Sequence, residues 1–233
     1  FLRMLAKPRR RFEGYPNGWF VIGFSDELAV GQVVPLHYFG EELAMFRGED
    51  GRANVLDAYC AHLGANLAGG KVAGCNIECP FHAWRYAGDG RCVEIPYAEK
   101  IPQKAFVRAW QVREQSGLLL MWHHAQGSKP DYEIPALPEW AHEGWTRWTM
   151  SKLRIRTHPK EIVENVVDKA HFPRVHNTHV ESFENEFDAH KATQRTRGVA
   201  YPVGGGKDQF EIEATYFGPG VQFSWMHGAL EAR

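Results

Sequence analysis

The first half of the chain alternates short apolar runs with turn-forming residues. Residues 19–24 (WFVIGF), 42–47 (ELAMFR) and 53–59 (ANVLDAY) have the length and β-branched or aromatic content of strands. Asp50-Gly51, inside 48–52, predicts a hairpin turn joining the second and third of these. Residues 87–91 (AGDGR) predict another tight turn. The run 117–122 (GLLLMW) suits a buried strand, being far short of the roughly 20 apolar residues a membrane span requires. A Pro-rich passage, 129–140 (KPDYEIPALPEW), then predicts a connector between modules.

Beyond it the period changes. Pro159 suits a first helical turn, and Ile162, Val163, Val166, Val167 and Ala170 recur at helical spacing as one apolar stripe. Glu161, Glu164, Asn165, Asp168 and His171 fall on the opposite face, and Pro173 is expected to end the helix. Residues 209–225 return to strand periodicity. The fold class is therefore α+β: an all-β module, then an α+β module built on antiparallel strands. The expected divisions are 1–13, 14–128 and 129–233.

The formal net charge of −1 gives no reason to expect nucleic acid or an anionic membrane as a partner. The run 7–11 (KPRRR) is read as a solvated basic arm. No apolar stretch follows it, so no signal peptide is expected, and a chain opening on Phe1 is expected to lack residues upstream. Cys75 and Cys92 are expected to be buried thiols in a reducing, cytoplasmic compartment. The run 204–207 (GGGK) lacks the first Gly and the Ser/Thr of a phosphate loop, and is read as an ordinary loop.

The sharpest chemistry is a doubled Cys/His pattern. Cys60 and His62 lie in CAHLGAN, Cys79 and His82 in CPFHAW, giving C-x-H-x16-C-x2-H. A zinc finger puts two Cys on one arm and two His on the other, because four ligands converge on one ion. Here each arm carries one of each. Two facing loops can then offer both thiolates to one iron and both imidazoles to a second, which is Rieske ligation of a 2Fe–2S cluster. A mixed Cys2His2 zinc site is the alternative. Replacing two thiolates by neutral imidazoles raises the potential to about −150 to +300 mV, against about −400 mV for plant-type ferredoxins, which suits an electron relay. Trp84 is expected to pack beneath a cluster loop.

A second constellation follows. Asp168, His171 and His176 offer two imidazoles and a carboxylate, the donor types of the two-His-one-carboxylate non-haem Fe(II) site. Glu181, Glu184, Glu186 and Asp188 are read as a solvated acidic stretch, and His179 and His190 as structural.

With these motifs the chain resembles the oxygenase component of Rieske non-haem iron oxygenases. GDGRCVEIPYA, SGLLLMWH, DKAHFPRVH and EATYFGPG are most similar to the 3-ketosteroid 9α-hydroxylase and sterol-modifying group. The resemblance implies a Rieske domain of antiparallel sheets or a small barrel, then a catalytic domain, here incomplete. It implies that Cys60, His62, Cys79 and His82 hold the cluster and that His171 and His176 bind a mononuclear Fe(II). Asp168 would be an acidic bridge to a neighbouring subunit's cluster histidine, His82 in this numbering, within a head-to-tail homotrimer, and Asn165 a residue of the active-site pocket. The third iron ligand would be a carboxylate beyond Arg233, so that the natural protein extends further. Electrons would come from NADH through a flavin/iron–sulfur reductase or a ferredoxin, and O2 would be used on a hydrophobic small molecule, a 3-ketosteroid. A Rieske electron carrier and a catalytically incomplete relative are the rival readings.

Overall fold

The computed structural model describes residues 14–202 and 204–228; the basic run 7–11 lies outside them. In chain order the first strands are β1 (Gly18–Phe24), β2 (Val33–Tyr38), β3 (Glu41–Arg47) and β4 (Ala53–Asp57). Short strands β5 (Lys71–Ala73), β6 (Asn76–Glu78), β7 (Arg85–Tyr86) and β8 (Cys92–Glu94) come next, then β9 (Ala109–Trp110), β10 (Val112–Gln115) and β11 (Leu118–His123). They form three antiparallel sheets, ordered β1-β11-β10, β2-β3-β4-β9 and β5-β6-β7-β8. The predicted Asp50-Gly51 turn joins β3 to β4. Gly51 takes the left-handed conformation, φ +78°, and the Asp50 carboxylate accepts the Arg52 N–H at 3.1 Å.

All six residues of β11 are buried, because both of its faces are covered. Leu119 and Met121 pack with Ile22, Leu43, Met45 and Val55. Leu118, Leu120 and Trp122 turn the other way and pack with Trp19, Ile134, Phe217 and Val221. That second cluster carries the core across the Pro-rich connector into the last part of the chain.

The last part holds the helices α1 (Pro159–Val163) and α2 (His171–Val175), then β12 (Thr178–Asp188), β13 (Lys191–Ala200), β14 (Asp208–Phe217) and β15 (Gln222–Gly228), a four-stranded antiparallel meander. The 204–207 run lies in the β13–β14 connection.

Three expectations need correction. The helix is not continuous. A 3-10 turn over Glu164–Val167 follows α1, and Asp168 then leaves helical geometry at φ −89°, ψ 88°. Nor does Pro173 end a helix. It is the third residue of α2, where no N–H is required from it, and the chain breaks five residues earlier. Only part of the apolar stripe is buried: Val166 is, while Ile162 and Val167 are exposed, so hydrophobic sealing does not hold the segment straight. Lastly, Cys92 is buried as expected but Cys75 is exposed, since Gly74-Cys75 form the β5–β6 turn.

Candidate metal centres

Both Cys/His arms are tight turns closed by backbone hydrogen bonds. After β4 the Cys60 N–H donates to the Ala65 carbonyl and the Gly64 N–H to the Cys60 carbonyl, each at 2.9 Å. Between β6 and β7 the Cys79 N–H donates to the Trp84 carbonyl at 2.8 Å, and the Ala83 N–H to the Cys79 carbonyl at 3.1 Å. Each turn therefore starts on its Cys and carries its His near the tip. The sulfurs are rooted in the core with Phe46, Leu56, Ile77 and Tyr86, whereas the imidazoles are half-buried.

The four donors come together as two pairs. The Nδ1 atoms of His62 and His82 face each other at 3.2 Å. Burial pushes the Cys79 thiol up, the Phe81 and His82 N–H groups directed at its sulfur pull it down, and the neighbouring Cys60 thiol pushes it up again. A buried thiol pushed up in this way, as Cys79 is, needs a nearby positive charge to ionise, which a metal centre supplies. Among the described residues no three His, Cys, Asp or Glu side chains converge on one point. A tetrahedral zinc requires all four donors around one ion. Two plus two is the arrangement a 2Fe–2S cluster spans, so the donor set fits that group.

Tyr86 was not anticipated. Its Oη accepts the Ala61 N–H at 3.2 Å and lies 3.1 Å from Cys60 Sγ, where its proton would face the sulfur of a metal-bound thiolate, which can only accept. Burial, and then the adjacent Cys60, push the phenol well above its ordinary value and keep it a donor. The available signal was alternation: Trp84, which ends CPFHAW, and Tyr86 two residues on are both buried. Trp84 does pack beneath a loop, and the ring it touches is that of His62.

In the second constellation the break at Asp168 brings His171 and His176 together, with ring centroids 5.2 Å apart and planes at 74°. His171 Nδ1 donates to the Asp168 carbonyl, leaving Nε2 free as an acceptor toward a metal. The Asp168 carboxylate accepts the Ala170 N–H at 2.9 Å and lies 3.8 Å from His171 Nδ1, with half its side chain exposed. The pair fits two of the three ligands of a ferrous site. Asn165 is exposed and lies outside the cleft of about 690 Å³ lined by Val163, Val166, Val167, Phe187 and Tyr216. The acidic residues of β12 are solvated along an exposed strand, and Glu186 is paired with Arg195 at 2.9 Å. His190 stacks on Tyr132 at 4.1 Å, and His179 is exposed.

Fold and donor geometry define a Rieske-type iron protein with a second, histidine-based site. Residues 18–107 match the Rieske [2Fe-2S] domain, and residues 121–233 the 3-Ketosteroid 9alpha-hydroxylase C-terminal domain. The chain belongs to the Rieske oxygenases, with a Rieske [2Fe-2S] domain followed by a domain of the 3-Ketosteroid 9alpha-hydroxylase C-terminal kind. It is 45% identical over 227 residues to the "Probable 3-ketosteroid-9-alpha-monooxygenase, oxygenase component" of Rhodococcus rhodochrous, covering 93% of this chain and 57% of that protein. With the oxygenase component of Mycobacterium tuberculosis it shares 37% identity over 222 residues, covering 91% of this chain and 58% of the other. It is also 42% identical over 172 residues to the Cholesterol 7-desaturase nvd 1 of Ciona intestinalis, covering 73% of this chain and 37% of that one. The chain thus spans less than two thirds of the length of these relatives. Among solved structures, dicamba monooxygenase bound to dicamba superposes with a TM-score of 0.71 at 20% identity, covering 94% of this chain and 67% of that one, a likeness of fold.

Proposed function

We propose that this chain is part of the oxygenase component of a Rieske monooxygenase that hydroxylates a 3-ketosteroid. The observation that carries the reading is the coexistence of two donor sets, the facing Cys/His loops and the His171–His176 pair. An electron carrier requires only the first. When bound, the cluster supplies single electrons and the ferrous ion supplies O2 activation.

The chain's own residues prepare both sites. Cys60 and Cys79 would hold one iron of the cluster, His62 and His82 the other. Tyr86 holds a proton against Cys60 Sγ, and the Asp168 carbonyl fixes the His171 tautomer. No hydrogen bond, ion pair or ring contact joins either cluster histidine to Asp168, His171 or His176 among the described residues. We therefore assign the exposed Asp168 carboxylate to His82 of a neighbouring subunit in a head-to-tail trimer. Leu63 and Phe81, both exposed beside the cluster histidines, suit such a contact. Asn165, exposed beside Asp168 and outside the cleft, carries a weaker version of its expected role, at the rim of the active-site pocket. The cluster domain would occupy 14–128, and the iron domain would begin at 129. Electrons would come from NADH by way of a separate flavin/iron–sulfur reductase or a ferredoxin, in the cytoplasm. Among the described residues no helix is long and apolar enough to cross a membrane.

The test is iron content and turnover of the full-length protein. Three irons per chain, and a product carrying one added oxygen from a 3-ketosteroid panel with a matched reductase, are expected. Two irons per chain would leave only the carrier. The similarity to a cholesterol desaturase favours one second reading, loss of two hydrogens from a sterol at the same iron. The product mass separates the two.

A further inference from the structure

We propose that Trp84 and Tyr97 are positioning residues that fix the imidazole of His62, so that the two cluster histidines are held unequally. The proposal rests on the cluster reading above. A metal-bound imidazole works only with its ring plane held, and the usual device is a hydrogen bond from its second nitrogen to a carboxylate or carbonyl. Among the described residues neither histidine has such a bond; each has only the contact between the two Nδ1 atoms.

For His62 the plane is held by stacking. The Trp84 ring lies parallel to it, with centroids 4.6 Å apart and planes 5° from parallel. Trp84 is buried, and its Nε1–H donates to Tyr97 Oη at 2.7 Å, which stops the indole rotating about its side-chain bonds. Trp84 belongs, however, to the other loop, where its carbonyl accepts the Cys79 N–H. One residue thus closes the Cys79–His82 turn with its backbone and supports the Cys60–His62 turn with its ring. It is a brace between the arms, and Tyr97, from the segment after β8, anchors it.

His82 has no equivalent. Its aromatic neighbours are His62, at 66°, and its own chain neighbour Phe81, which is tilted by 36° and 63% exposed. The assignment is therefore directional: His62 is locked within its chain, and His82 is left adjustable for a surface that meets it from outside.

The experiment uses full-length, cluster-loaded protein with Tyr97→Phe, Trp84→Phe and Trp84→Leu, and Tyr59→Phe as an exposed control. Iron and sulfide per chain, the electron paramagnetic resonance spectrum of the reduced cluster and its single-turnover oxidation rate are measured. Trp84→Leu is expected to broaden the spectrum and slow oxidation per loaded cluster by about tenfold, in the range typical of residues that orient metal ligands. Tyr97→Phe, which removes one oxygen and keeps the ring, is expected to give a smaller change of the same kind, and Tyr59→Phe none. Unchanged spectra and rates per loaded cluster in Trp84→Leu and Tyr97→Phe would overturn the proposal, including the case in which only cluster content falls. A wild-type protein lacking the reduced-cluster signal would instead overturn the cluster reading beneath it.

Discussion

Arg47 ends β3 inside the protein with every N–H group engaged. Nε donates to the Leu28 carbonyl at 2.7 Å. The terminal nitrogens reach the Gly51 and Ser25 carbonyls and both oxygens of Glu114, at 2.7 and 3.1 Å. Burial pushes the Glu114 carboxyl up, but hydrogen bonds from Arg47 outweigh it, and the folded pKa lies below the ordinary value of 4.5. A carboxylate with a lowered folded pKa contributes stability fully above its unfolded pKa, and loses it as pH falls through the folded one. Glu114→Gln should therefore destabilise by about 2 kcal/mol at pH 7, less than a fully buried pair because Glu114 is one-third exposed. The deficit should shrink below about pH 4.5, and urea unfolding of both proteins at pH 7 and pH 4 checks this. Tyr86→Phe removes a proton from Cys60 Sγ without changing shape, so the reduced, more negative cluster loses more than the oxidised one. With a hydrogen bond worth about 1 kcal/mol, the potential should fall by roughly 40 mV in a redox titration.

Elements show why sequence could be read well in places and badly in others. Asp50-Gly51 encodes its turn within two residues, so the β3–β4 hairpin was legible. The candidate Cys/His donors could be picked out because ligand chemistry constrains residue type and spacing together, and the structure does bring His62 to His82 and His171 to His176. The break at Asp168 was not, because it depends on which apolar residues find cover: Val166 does and Val167 does not. The Trp84–Tyr97 and Tyr86–Cys60 contacts join residues 13 and 26 apart, and no local pattern announces them. Gly69-Gly70, just after the first cluster loop, gives a test at this scale. A Cβ on Gly70 would sit 2.1 Å from the Glu78 carbonyl oxygen, at the β5–β6 pairing that leads into Cys79. One on Gly64 meets nothing within 4 Å, though φ there is +72°. Gly70→Ala should cost about 2–3 kcal/mol and lower cluster content. Gly64→Asn, using a residue that tolerates the left-handed region, should cost less than about 1 kcal/mol. Denaturation midpoints and iron content compare the two; equal losses would mean the close approach is not what constrains Gly70.

At the scale of the whole molecule, the core from Trp19 through Leu120 to Phe217 joins the sheets of the first part of the chain to the meander that follows α2. Each chain would thus be one packed unit, yet its two donor sets have no side-chain contact with each other. If reaction of the iron site depends on a cluster, that cluster must come either through the same chain or from a neighbour. Two full-length variants separate the routes. Cys79→Ser should lose the cluster and keep the mononuclear iron, and His171→Ala should do the reverse. In the proposed head-to-tail trimer each alone should be inactive, since one centre is missing throughout. Co-expressed with different tags and purified through both, the mixed trimers differ between the routes. Within-chain transfer leaves them dead, because no chain has both centres. Transfer across a head-to-tail contact needs only an intact cluster beside an intact iron, and a cyclic trimer holding both chain types has that arrangement at about one of its three contacts. Mixed trimers should therefore recover about a third of wild-type turnover, and adding Asp168→Asn to the Cys79→Ser chain should abolish that recovery while leaving iron content unchanged. Inactive mixtures of correctly loaded trimers would show that Asp168 does not act across a subunit boundary.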